Sequence, residues 1–110
     1  MTTKPVAYGY MRVRQDTRDT DLRAIEEKFK RYAERNGFEL RAIVEEDDGV
    51  LKLDRFVHTV RQENVAHVLV ASLDQISTQP AVQAVLVQLI QAAGAAVHTV
   101  RAEQADIANT

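Results

Sequence analysis

Val6-Ala7-Tyr8-Gly9-Tyr10-Met11-Arg12-Val13-Arg14 is the stretch on which the reading of the whole chain turns. Pro5 precedes it and a polar cluster follows, so this short run of β-formers predicts a buried strand. Alternate residues of a strand share a face, which places Arg12 and Arg14 on the same side. Two neighbouring guanidiniums repel unless an acid or a bound anion lies between them. The pair at the end of this strand is therefore the first functional clue.

The 110 residues provide for one domain with a single core, 45% apolar and 27% charged. A net charge of -2 and a pI near 5.9 argue against a broad electrostatic grip on DNA or on an anionic membrane. They leave room for a local basic pocket. The absence of cysteine excludes disulfides, thiol catalysis and thiolate metal sites. No stretch is apolar for long enough to span a bilayer, and Met1-Thr2-Thr3-Lys4 lacks the apolar run of a signal peptide, so a cytoplasmic protein is expected.

Downstream, Gln15 to Thr20 is a polar loop in which Asp19 or Thr20 is expected to cap a helix. Leu22, Ile25, Phe29, Tyr32 and Ala33 recur at helical spacing, and Asn36-Gly37 supplies the stop. Phe38 to Val44 reads as a strand at or near an edge, followed by an acidic turn, Glu45-Glu46-Asp47-Asp48-Gly49, expected to be solvated rather than to hold a metal. Leu53, Phe56, Val57 and Val60 mark a second helix ending near Asn64. The unbroken apolar run Ala66 to Ala71 predicts a strand covered on both faces. Thr78 and Pro80 are expected to open a third helix carrying Val82, Val85, Leu86, Leu89, Ile90 and Ala93, closed by Gly94. Ala95 to Val100 completes a fourth strand, and residues 101–110 read as a polar tail.

Strands alternating with helices over short connections imply an α/β fold, a four-stranded mainly parallel sheet with helices on both faces. Sites in such sheets lie beyond the carboxyl ends of the strands, where Arg14, Asp47, Ser72 and Asp74 all fall.

Three segments carry a resemblance. Tyr10-Met11-Arg12-Val13-Arg14 resembles the Tyr-Ala-Arg-Val-Ser opening of the serine recombinase catalytic domain, the resolvase/invertase family. Val68 to Thr78, ending in Leu73-Asp74-Gln75-Ile76-Ser77-Thr78, resembles that family's second signature, apolar residues followed by Leu-Asp-Arg-Leu-Ser-Arg. Leu53-Asp54-Arg55-Phe56 sits where the family has an arginine opening its second helix. The resemblance runs from about Val6 to Val100 and implies a resolvase-like three-layer αβα domain. In that family a serine hydroxyl attacks a DNA phosphodiester to form a phosphoserine link. Planar arginines hold the charge that develops on the phosphoryl oxygens.

Carried over position by position, the resemblance places Arg12, Arg55 and Asp74 on the family's first arginine, second-helix arginine and motif aspartate. The nucleophile position holds Arg14, whose guanidinium stays protonated and cannot attack phosphorus. Gln75 and Thr78 replace the two arginines after the aspartate, and Asp48-Gly49-Val50-Leu51 replaces the usual Ser-Gly before the second helix. No counterpart is read for the family's long dimerisation helix or its helix-turn-helix, so a single domain without a DNA-reading module is expected.

The expected function is that of a catalytically inactive recombinase-like domain, a binding or regulatory module. Its remnant site would comprise Arg12, Arg14, Arg55, Asp74 and Gln75, gripping phosphate, a DNA backbone or an acidic protein partner. No cofactor, metal or membrane is implied. Arg14 could instead pair with Asp74 or Asp47 and hold no ligand. A residual phosphoester enzyme would use Ser72, Ser77 or Thr17. His58, His67 and His98 are not placed to activate these hydroxyls and read as core or surface residues. A third reading is a homo-oligomeric module using the small-residue face of Ala81, Ala84, Ala92 and Ala93.

Overall fold

The computed structural model describes residues 4–13, 18–47, 53–72 and 79–100. Its elements are β1 (Val6–Val13), α1 (Asp19–Asn36), β2 (Glu39–Asp47), α2 (Leu53–Gln62), β3 (His67–Val70), α3 (Pro80–Ala92) and β4 (Ala96–Thr99). All strand pairings are parallel, in the order β2-β1-β3-β4. The expected α/β architecture is thus present, with β1 central and β2 at an edge.

The period-two alternation of β1 sorts the core into two layers. Tyr8 and Tyr10 face a cluster with Val68 and Val70 of β3, Phe56 and Val60 of α2, and Ile90 of α3. Ala7 and Met11 face the opposite cluster, with Leu69 and with Phe29 and Ala33 of α1. Burial of apolar side chains on both faces explains why β3 reads as an unbroken hydrophobic run. Gly9 lies beneath α1, where the Phe29 ring occupies the space a side chain would need.

All three helices end in the same way. The chain turns left-handed at Gly37 (φ 73°), Asn64 (φ 53°) and Gly94 (φ 105°). The next amide then reaches back to a carbonyl in the last turn, Phe38 to Ala33, Val65 to Val60 and Ala95 to Ile90. These stops match the residues read from the sequence.

The starts differ from expectation. α1 begins at Asp19 with Arg18 as N-cap and no side-chain cap, so Asp19 and Asp21 sit in the first turn, where their charges complement the helix dipole. The N-cap of α3 is Gln79, not Thr78. Pro80 holds the first helical position and drives the residue before it to extended backbone, observed at φ -98° and ψ 119°.

The acidic run also departs from its reading as a turn. Glu45, Glu46 and Asp47 continue β2 and pair with Met11, Arg12 and Val13. A central strand that extends to Val13 offers backbone partners this far, and the ladder overrides the weak strand propensity of the acids. Asp48 and Gly49 lie outside the described residues.

Candidate functional site

The carboxyl end of β1 carries Arg12. Arg12 follows the buried Tyr10 by two positions and emerges on the same face, the side covered by α2. Its side chain is half-buried, and its Nη2 donates a long hydrogen bond of 3.5 Å to the Tyr10 hydroxyl. Tyr10 in turn packs its ring at 4.9 Å from that of Phe56, tilted by 52°. Arg55, the neighbour of Phe56 in the first turn of α2, is exposed. Tyr10 thus links Arg12, through its hydroxyl, to Phe56 of the helix that carries Arg55, through its ring.

The second strand end comes from β3. Tyr10 and Val70 are register partners. Ser72 lies two residues past Val70, as Arg12 lies two past Tyr10, so both leave the sheet at the same level. Ser72 is half-buried. On the other side of β1, Arg12 is the register partner of Glu46. The end of the sheet therefore gathers a half-buried cation, a hydroxyl and the start of α2. Arg14, Asp74 and Gln75 lie outside the described residues, as do Thr17, Ser77 and Thr78. Of the expected remnant, Arg12 and Arg55 are placed, both on the α2 side of this end.

A family model described as "Resolvase, N terminal domain" matches residues 7–110. The chain belongs to the resolvase N-terminal domain family. Solved structures share the fold of this resolvase-type domain. A resolvase family site-specific recombinase from Streptococcus pneumoniae aligns with a TM-score of 0.75 at 22% identity, over 88% of this chain and 72% of that one. The C-terminal catalytic domain of ISC1926 TnpA, an IS607-like serine recombinase, gives 0.72 at 19% identity, over 86% and 67%. The N-terminal catalytic domain of TP901-1 integrase gives 0.70 at 18% identity, over 86% and 76%. No curated protein matches the sequence.

One arrangement was missed in the sequence. His67 of β3 and His98 of β4, read separately as core or surface residues, meet at the opposite end of the sheet. Nδ1 of His67 is 2.9 Å from Nε2 of His98, whose Nδ1 is 3.0 Å from the Tyr32 hydroxyl of α1. Phe38 stacks on His67 at 3.8 Å and 12°. Burial lowers the pKa of both histidines from the ordinary 6.5, and for His67 the neighbouring His98 lowers it further. The signal for this contact was the β3–β4 register, which the sequence does not display. His58 is exposed on α2.

Among the described residues, no group of three or more His, Cys, Asp or Glu is placed to hold a metal ion, and no helix is long and apolar enough to cross a membrane.

Proposed function

We propose that this resolvase-type domain grips an anionic phosphate group, such as that of a DNA backbone, and does not itself exchange DNA strands. The observation that carries the reading is Arg12. It lies half-buried at the carboxyl end of the central strand, hydrogen-bonded to Tyr10, whose ring packs on Phe56 of the helix that carries Arg55. A planar, permanently charged fork seated in this way suits phosphate oxygens better than a mobile surface lysine would. Arg14 follows two residues later in the sequence, where the family motif has its nucleophilic serine, and it adds positive charge while removing the attacking hydroxyl. Asp74 and Gln75 complete the proposed remnant. Asp74 balances part of the charge, and Gln75 supplies neutral hydrogen bonds where the family has arginine.

The loss of catalysis is tested by incubating the domain with labelled duplex DNA and separating the products under denaturing conditions. No protein–DNA adduct is expected. An adduct that survives denaturation and disappears in Ser72→Ala or Thr17→Ala would overturn the reading and establish a residual enzyme.

A second reading, compatible with the first, is self-association. Val85 and Leu89 of α3 are 55% and 47% exposed. Ala81, Ala84 and Ala92 share the helix's exposed surface, whereas Ala93 packs against the core. No Asp, Glu, Lys or Arg occurs between Gln75 and Val100. Analytical ultracentrifugation over a concentration series tests it, and a monomer mass at every concentration would remove it.

A further inference from the structure

We propose that Tyr32, His98 and His67 form a one-proton latch that ties the end of α1 to the β3–β4 edge of the sheet and opens when a second proton binds. The three groups come from three elements and form a single chain, hydroxyl to Nδ1 of His98 at 3.0 Å and Nε2 of His98 to Nδ1 of His67 at 2.9 Å. They lie at the end of the sheet away from Arg12, so the latch is separate from the proposed anion site. His67 is the register partner of Ala7, near the start of β1.

Proton counting shows how the chain behaves. With both imidazoles neutral it closes in either of two directions. In one, the Tyr32 O–H donates to Nδ1 of His98, and Nε2–H of His98 donates to Nδ1 of His67. In the other, Nδ1–H of His67 donates to Nε2 of His98, and Nδ1–H of His98 donates to the Tyr32 oxygen. One added proton makes both nitrogens of His98 donors, with Nδ1 of His67 and the Tyr32 oxygen as acceptors, and the chain remains whole. A second proton sets N–H against N–H across 2.9 Å and two positive charges side by side. That contact cannot persist.

The surroundings make the second proton consequential. Among the described residues, the titratable groups joined by these hydrogen bonds are Tyr32 from α1, His67 from β3 and His98 from β4. Phe38, which follows α1 and leads into β2, contributes an uncharged ring stacked on His67. The Phe38 amide is bonded to the Ala33 carbonyl at 2.8 Å, so the stack belongs to the helix terminus. β4 is four residues long and, among the described residues, is bonded to β3 on one side only. The latch is a hydrogen-bonded side-chain tie between β4 and α1. A strand with so few backbone partners opens locally when such a tie is lost.

The test is an NMR pH titration of the imidazole nitrogens of His67 and His98 in the unaltered domain. His67 and His98 should report a shared first step and a second step displaced to lower pH by more than about one unit, as coupled sites do. Across the second step the hydrogen-exchange protection factors of Val97, His98 and Thr99 should fall by about tenfold or more, while those of α2 hold. In Tyr32→Phe, which keeps the ring, His98 loses one of its two partners and its resonances should shift while the two-step pattern survives. Independent single-step titration of His67 and His98 in the unaltered domain would overturn the proposal. So would β4 protection that does not change across the second step.

Discussion

The ring of Phe29 lies so close over Gly9 that a Cβ on this glycine would stand 2.6 Å from Cδ2 of the ring and 2.9 Å from Cε2. The contact fixes how near α1 approaches the central strand. Ile43 Cγ1, at 3.2 Å from the same point, closes the remaining side. Gly9→Ala should therefore destabilise the domain by about 1–3 kcal/mol through overpacking. Urea denaturation checks this, and an unchanged midpoint would mean that the ring moves aside freely.

Phe56 links the core to the candidate site, because its ring backs Tyr10, which meets Arg12. Phe56→Ala should cost about 3–5 kcal/mol of stability, the usual range for truncating a buried aromatic residue. Arg55→Ala, one residue away and exposed, should change stability by less than about 0.5 kcal/mol. Denaturation curves for the two variants separate the packing role of Phe56 from the proposed anion-binding role of Arg55. Equal losses would show that Arg55 is a structural residue.

Stability should fall on acidification, with the sign set by the two paired histidines. Their pKa values are lowered in the folded protein from the ordinary 6.5. Between that value and the lowered ones the unfolded chain binds more protons, so folding is progressively disfavoured as pH falls below about 6.5. More than about one pH unit above that value these groups are neutral in both states and contribute no slope. Melting temperatures across this window should decline less steeply in a His67→Gln, His98→Gln double variant than in the unaltered chain.

The exposed apolar pair on α3 gives a contrasting prediction. Val85→Lys and Leu89→Lys remove no buried contact of the core, so each should alter stability by less than about 0.5 kcal/mol. If copies of the chain associate through this helix, either change should shift the sedimentation profile toward monomer. A dimer unaffected by both substitutions would place the interface elsewhere.

The order of strands and helices was legible because each element carries its own period. Leu22, Ile25, Phe29 and Ala33 space like a helix, and Val68 to Val70 run apolar like a strand buried on both faces. Gly37, Asn64 and Gly94 punctuate them where the backbone turns left-handed. The extension of β2 through Glu45, Glu46 and Asp47 was not legible, since it depends on the partner backbone of Met11 to Val13 rather than on local propensity. The helix starts were misread because Pro80 fixes the cap from the following residue, and because acids in the first turn of α1 act through charge rather than as caps. At the candidate site, the placement of Arg12 followed from strand alternation. The meeting of His67 and His98, 31 residues apart, required the register of two strands.

The central claim is that the carboxyl end of the sheet grips phosphate through its arginines. The most direct test is a fluorescence-anisotropy titration of labelled duplex and single-stranded DNA at low and moderate salt. Binding is predicted at low salt, weakening as salt rises, because each arginine–phosphate contact releases counterions. Arg12→Ala and Arg55→Ala should each reduce affinity several-fold and flatten the salt dependence. Absence of binding at low salt, or binding that both variants retain in full, would contradict the account.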